Sequence, residues 1–336
     1  MSHKSILVTG GAGYIGSHVV RQLGEQGEDI IVLDNLSTGF KEAVTSGKLI
    51  IGDTGDDALL EKVFAKNDID TVMHFAAHTV VPESVSDPLK YYRNNTASSR
   101  TLLEHAHKAG VKHVVFSSTA AVYGVPETGK ASETTPTRPI NPYGTSKLMT
   151  EWMLRDLSQA GGPSYVALRY FNVAGCEPGG RIGQSTPKAT LLVKVACEAA
   201  VGRRPQVYVY GTDYPTPDGT GLRDYIHVED LASAHVDSLT YLRNGGKPAT
   251  LNCGYGHGYS VREVLEAVAR VNGKPLNIVE EARRLGDPPE LVAEVAKIHK
   301  VLGWQPKYDD LDTIVRTSLA WERKIAAGDK SAYWAA

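Results

Sequence analysis

The amino-acid sequence predicts an α/β protein whose main domain is a doubly wound parallel sheet, followed by a smaller, discontinuous α/β lobe. Three observations carry that expectation. Short β-branched runs alternate with amphipathic helical stretches through the first half of the chain. Those runs are apolar throughout, as strands covered on both faces must be. From Cys176 the alternation gives way to Gly, Pro and loop residues.

The runs "SILVT", "IIVLD", "KLIIGD", "DTVMHFAA", "KHVVFSS" and "SYVALRYF" read as strands, separated by stretches such as "GYIGSHVVRQLGEQ" and "DALLEKVFAK". Between Cys176 and Thr220 one helix stands out, "ATLLVKVACEAAVG". "RDYIHV" and "TLNCG" then return as strands around the helix "EDLASAHVDSLTYL", and the tail mixes helices with "LNIVE" and "RRLGDPP". The main domain is expected over residues 1–175, with 223–253 returning to it, and the lobe over 176–222 and 254–336.

With 336 residues and 42% hydrophobic content, the chain can build more than one core. A formal net charge of −2 exerts no general pull on nucleic acid or on an anionic membrane, so an anionic ligand must be met by a few local Arg or Lys. No apolar run approaches a membrane span, and "MSHKSILVTGG" enters a strand at once, so a cytoplasmic location is expected. Cys176, Cys197 and Cys253 are odd in number and far apart, which points to neither a disulfide framework nor a zinc site. His74 and His78 fall on a strand end and its loop, while His105 and His107 point apart on a helix, so no metal is expected.

"VTGGAGYIGSH" follows the first strand and opens the first helix. It satisfies G-x-G-x-x-G at Gly11, Gly13 and Gly16, and G-x-x-G-x-x-G at Gly10, Gly13 and Gly16. Glycines there let a backbone turn approach a pyrophosphate seated on the helix N-terminus. A glycine turn can also merely pack a helix on a strand. The second strand decides between these, because it ends at Asp34, where a carboxylate can bond adenosine ribose hydroxyls and repel a 2′-phosphate. A Rossmann-type site for NAD, rather than NADP, is expected.

"NPYGTSK" places Tyr143 and Lys147 four apart, with Asn141 able to cap a helix and Pro142 suited to its first position. The spacing puts phenol and ammonium on one face. A free tyrosine titrates near ~10, and a neighbouring ammonium together with an oxidised nicotinamide is expected to bring Tyr143 down toward the working pH, as a general base requires.

The glycine turn, a Ser or Thr ending a later strand and Y-x-x-x-K together resemble the extended short-chain dehydrogenase/reductases. The finer resemblance is to the UDP-glucose 4-epimerases. It rests on "TGGAGYIGSH", "LDNLSTG", "HFAA", "ESVSDPLKYYRNN", "FSSTAAVYG", "NPYGTSK", "LRYFNVAG", "YGTDYPTPDGTGLRDYIHVEDLA" and "RRLGDPP", in order over nearly the whole chain. The resemblance implies NAD contacts from Gly10, Gly13, Tyr14, Ile15, Gly16, Asp34, Asn35, Ser37, Thr38, Asp53, Thr54, Phe75, Ala76, Ala77, Asn95 and Ser117, with Tyr143, Lys147, Tyr170 and Phe171 near the nicotinamide. Thr119, Tyr143 and Lys147 would be catalytic. Thr119 and Tyr143 would touch the sugar, Asn172, Arg223 and Arg284 would hold the UDP diphosphate, Tyr210 would pack on uracil, and Asp287 would accept from the uridine ribose. It also implies a homodimer paired through helices near Val85–Ala109 and Pro142–Ala160, the latter offering Leu148, Met149, Trp152 and Met153. Two departures stand out. Thr79 occupies the place of a lysine that the family often carries after "HFAG", removing one cationic contact, and "PKATLL" lacks the family's asparagine.

Related nucleotide-sugar dehydratases carry carboxylates directly after the catalytic Thr. Here Ala120 and Ala121 follow Thr119, and neither can move a proton. Oxidation and reduction at C4, without elimination, is therefore the expected chemistry. The alternatives are a 4-epimerase of UDP-glucuronate or a UDP-N-acetylhexosamine, which the residue near Leu291 would gate, and a non-catalytic NAD sensor, which would have no need of Tyr143 and Lys147.

Overall fold

The structure, a computed structural model, describes residues 4–186, 189–284, 287–329 and 331–333. Its strands in chain order are β1 (Ser5–Thr9), β2 (Ile30–Asp34), β3 (Lys48–Ile51), β4 (Ile69–His74), β5 (His113–Ser117), β6 (Lys130–Ala131), β7 (Ser164–Tyr170), β8 (Asn172–Ala174), β9 (Val207–Tyr210), β10 (Leu222–Arg223), β11 (Tyr225–His227), β12 (Ala249–Cys253), β13 (Tyr259–Ser260), β14 (Ile278–Glu281) and β15 (Glu290–Ala293). The helices are α1 (Tyr14–Glu25), α2 (Asp57–Lys66), α3 (Val81–Ser86), α4 (Pro88–Tyr91), α5 (Ser98–Lys108), α6 (Pro142–Gln159), α7 (Leu192–Ala200), α8 (Val228–Arg243), α9 (Val261–Asn272), α10 (Ala296–Leu302) and α11 (Leu311–Ala326).

The main sheet has seven strands in the order β12-β7-β5-β4-β1-β2-β3, and every pairing from β7 to β3 is parallel. Its order reverses between β1 and β4, the switch point at whose carboxyl end ligands of doubly wound sheets are bound. Because the strands are apolar on both faces, the sheet is covered on both. One face buries Leu7, Ile31, Val72 and Val114 with Leu102 and Leu154 from the helices.

The chain forms two compact units. The first comprises Met1–Gly124, Thr137–Arg169 and Ala232–Leu251; the second comprises Val125–Pro136, Tyr170–Leu231 and Asn252–Ala336. The boundaries expected from sequence place 125–136, 170–175, 223–231 and 252–253 with the first. The structure groups them with the second: β6 pairs with β15, the Ala131 carbonyl accepts from Asn252, and β8 pairs with β11 apart from the main sheet. The second unit packs α7, α9 and α11 beside small sheets, with Ser260 and Glu263 capping α9 reciprocally.

Two expected elements differ. "RDYIHV" is not one strand but β10 and β11, broken at Asp224, whose buried carboxylate accepts backbone N–H groups of Tyr255, Gly256 and Ala293. The expected long helix near Val85–Ala109 is three pieces, α3, α4 and α5, with a π-helical turn at Tyr92–Ala97. Asn95 lies in that turn. Its side chain accepts from His78 N–H and donates to the His78 carbonyl and to Ser146 of α6, a reason for the local widening.

Candidate active site

The site is built from the carboxyl ends of five parallel strands of the first unit, β5-β4-β1-β2-β3, on either side of the switch point. The glycine turn after β1 is held by Gly10 N–H donating to Leu33 O and Gly13 N–H to Gly10 O. Gly10 has φ +71°, and a Cβ there would sit 2.5 Å from Ala76 N at the end of β4. A Cβ on Gly16 would sit 2.3 Å from Gly10 O, so α1 could not start so close to the turn. Gly13 precedes α1 without a side-chain cap, so the start of the helix, at Ile15 and Gly16, suits an anion.

Asp34 ends β2. Its oxygens accept from Ala12 N–H at 2.9 Å and Leu36 N–H at 2.8 Å, one each, and so keep acceptor capacity for a pair of ribose hydroxyls. Leu36, with φ +57°, is the one described non-glycine residue in the left-handed region, and the Asp34 bond holds it there. Burial pushes the Asp34 carboxyl up while those two N–H groups pull it back. Asn35 donates to Asp53 at 3.0 Å and accepts from Ser37 N–H, joining the ends of β2 and β3 beside Thr38 and the buried Thr54. The uncapped helix start, the close glycine turn and this carboxylate fit a dinucleotide. Phe75, Ala76 and Ala77 follow β4 half-buried, and Thr79 is exposed.

At the end of β5, Ser117, Ser118 and Thr119 face α6. Asn141 caps that helix by accepting from Gly144 N–H at 2.8 Å, and Pro142 takes its first position as expected. A Cβ on Gly144 would meet Ala121 O at 2.6 Å, so glycine after Tyr143 lets α6 press on the turn Ala120–Tyr123. Thr119 caps that turn, its Oγ accepting from Ala121 N–H at 3.1 Å, and it also hydrogen-bonds the Tyr143 phenol. Lys147 donates to Ser117 O at 2.8 Å and lies 4.9 Å from the centre of the Phe116 ring.

In the protein alone, burial governs the electrostatics of this pair. Tyr143 is 7% exposed, and burial pushes its phenol up, with the Thr119 hydrogen bond pulling the other way. Burial brings Lys147 down to about 7, the Glu151 carboxylate opposing it. The ammonium therefore does not by itself depress the phenol, because both groups lose the solvation that charge needs. Beneath them, His74 is held neutral by burial, with its value near 3; its ring nitrogens meet Thr9 and Ser99 hydroxyls at 2.6 and 2.7 Å.

The family profile of the NAD dependent epimerase/dehydratase family matches residues 6–254, well over half of the chain. The chain belongs to this family. A curated UDP-glucose 4-epimerase of Azospirillum brasilense is 56% identical over 321 residues, covering 95% of this chain and 92% of that protein. The crystal structure of a Brucella ovis UDP-glucose 4-epimerase in complex with NAD superposes with a TM-score of 0.92 at 45% identity, covering 94% of this chain and 98% of that one. That of Bifidobacterium longum in complex with NAD+ and UDP gives 0.91 at 40% identity, covering 98% and 100%.

In this epimerase/dehydratase chain the remaining expected site residues lie in the second unit. Tyr170 and Phe171 are half-buried, and Asn172 opens β8 with its N–H on Asp224 O. Arg284 stacks its guanidinium 3.6 Å from the centre of the Tyr210 ring. Asp287 N–H reaches Arg284 O at 3.4 Å, while the Arg223 guanidinium donates to Leu222 O. The structure thus brings Tyr210, Arg284 and Asp287 together within the second unit. Of the segment "PKATLL", Pro187 and Lys188 lie outside the described residues.

Several residues that support the site are given no role by the sequence motifs. Arg283 bonds Asp213 and lies 4.2 Å over the Tyr214 ring, docking the segment that carries Arg284. Glu151, Arg169, Ser118 and Tyr123 form a buried network behind Tyr143 and Lys147. Only Glu151 left a trace, as the next position four residues on in Y-x-x-x-K-x-x-x-E. Among the described residues no group of three or more His, Cys, Asp or Glu could hold a metal. None of their helices is long and apolar enough to cross a membrane.

Proposed function

We infer that this chain catalyses the reversible epimerisation at C4 of a UDP-hexose, interconverting UDP-glucose and UDP-galactose with NAD as cofactor. The observation that carries this reading is the arrangement at the end of β5: a Thr119–Tyr143 hydroxyl pair beside Lys147, with alanines where elimination would need an acid and a base. The relatives named above agree with it.

In this reading the first unit holds NAD. The uncapped N-terminus of α1 takes the pyrophosphate, Asp34 takes the adenosine ribose, and Asn35, Ser37, Thr38, Asp53 and Thr54 line the adenosine end. When bound, NAD supplies the hydride acceptor and donor and a positive charge. The chain's own residues move the proton. Tyr143 accepts it from the 4-hydroxyl as C4 is oxidised and returns it after the sugar has presented its other face. Thr119, its Oγ lone pair occupied by Ala121 N–H, has its own O–H to give. By resemblance, Arg223 and Arg284 anchor the diphosphate, Tyr210 meets the uracil, and the hexose is held loosely enough to turn.

A homodimer belongs to the same reading. Val85 (63% exposed), Leu89 (75%) and Trp152 (44%) leave apolar surface on α3, α4 and α6. The expected seam is narrower than the sequence implied, because Leu148 is buried within its own chain and Met153 packs against the core. A cytoplasmic setting suits three buried free cysteines.

The test is a substrate deuterated at C4. UDP-galactose so labelled should give UDP-glucose that keeps the deuterium at C4, with no net NADH. Loss of the label, or stoichiometric NADH, would overturn the reading in favour of a dehydrogenase. NAD binding without turnover of any UDP-hexose would favour the sensor.

A further inference from the structure

Three consecutive residues of the β5 end are tied to three residues spaced four apart on α6. Lys147 donates to Ser117 O at 2.8 Å, Ser118 Oγ donates to Glu151, and Thr119 pairs with Tyr143. The spacing puts Tyr143, Lys147 and Glu151 on one helix face. Glu151, 5% exposed, is gripped from the far side by Arg169, whose Nε lies 2.9 and 3.2 Å from its two oxygens and whose Nη2 lies 2.6 Å from one. Arg169 then donates through Nη1 to the Tyr123 hydroxyl at 3.0 Å. Tyr123 closes the turn that Thr119 caps. One ion pair therefore joins α6, the ends of β5 and β7, and the Thr119 turn. As a stabiliser a buried pair is poor, since desolvation cancels much of its attraction.

We propose that Glu151, held by Arg169, is a positioning residue for the reaction, fixing Lys147 and the Thr119 hydroxyl in register with Tyr143. The proposal rests on the functional reading above. Among the described residues, the titratable and charged groups around Lys147 are Tyr143 and Glu151 on its own helix, His74 from β4, and Arg169 from β7 beyond Glu151, while β5 offers the Ser117 carbonyl and the Phe116 ring. His74 is neutral, so the Glu151 carboxylate is the group that opposes the loss of the Lys147 charge on burial.

Glu151→Gln keeps the side chain's shape and removes its charge. In the NAD-loaded enzyme kcat should fall at least ~10-fold, the cost of a small misplacement, while KM for UDP-galactose stays within about twofold. The Lys147 titration midpoint, read by NMR of ¹³Cε-labelled lysine and assigned by its loss in Lys147→Met, should fall by at least ~0.5 pH unit. The pair Glu151→Gln with Arg169→Gln leaves no unpaired guanidinium, so it covers the case in which the single variant does not fold, and it should lose kcat alike. A folded variant with kcat within threefold of wild type and an unmoved midpoint would overturn the proposal. So would a kcat loss matched by an equal rise in KM with the midpoint unmoved, which marks general loosening. If wild-type protein turns over no UDP-hexose, the functional reading fails, and the Lys147 midpoint still decides the positioning role.

Discussion

Removing one oxygen at Tyr143 is the sharpest residue-scale perturbation, because its ring is buried and stays packed in Tyr143→Phe while the proton carrier disappears. That variant should fold, keep its NAD and lose at least ~10²-fold in kcat; turnover within threefold of wild type would remove Tyr143 from the reaction. Asp34 allows a second test. Asp34→Asn keeps an acceptor for one of the two N–H groups that the carboxylate holds, but loses the charge that repels a 2′-phosphate. The preference for NAD over NADP, measured by fluorescence titration, should narrow by at least ~10-fold, the scale of one unit charge at a few ångströms in a partly buried site. Both residues were legible in the sequence because their motifs bind through local spacing. Glu151 and Arg169 were not, because their partnership spans β7 and α6 and needs the folded sheet to bring them together.

Elements position these groups through contacts that also govern the response to acid. His74 ends β4 and His227 ends β11, and burial alone lowers His227 to about 4. Burial, with the Lys147 charge, lowers His74 to about 3. Unfolded chain binds protons on both imidazoles below ~6.5, whereas folded chain refuses them until those lower values. Their contribution to stability is therefore complete above that pH and is lost as pH falls through the window below it. Between pH 6 and pH 4 each should remove on the order of 1.4 kcal/mol per pH unit. Urea midpoints measured across that range should fall steeply, and a flat profile would contradict the neutral buried state of these rings. Helix starts were readable at this scale, since Asn141 and Pro142 act within one turn. The π-helical turn at Tyr92–Ala97 was not, because what holds Asn95 there is His78 and Ser146, distant in sequence.

On the scale of the whole molecule, the exposed Leu89 and Trp152 carry the dimer prediction. Light scattering at micromolar concentration should return the mass of two chains. Leu89→Glu combined with Trp152→Glu should return one, because a charge buried in an apolar seam without a partner is strongly unfavourable. A wild-type mass of one chain would refute the dimer. What the sequence by itself determined is the alternation of strands and helices, the glycine turn, Asp34 and the Tyr143–Lys147 spacing. All of these arise from periodicity or from neighbours within a turn, where chain geometry leaves little choice. Only the tertiary structure decided that segment 125–136 belongs with the second unit, and that Arg284 stacks on Tyr210. It alone decided that burial raises Tyr143 and lowers Lys147, and that Arg169 locks Glu151 behind them. Burial and long-range pairing depend on which surfaces meet, and no local pattern of residues encodes the dielectric that results.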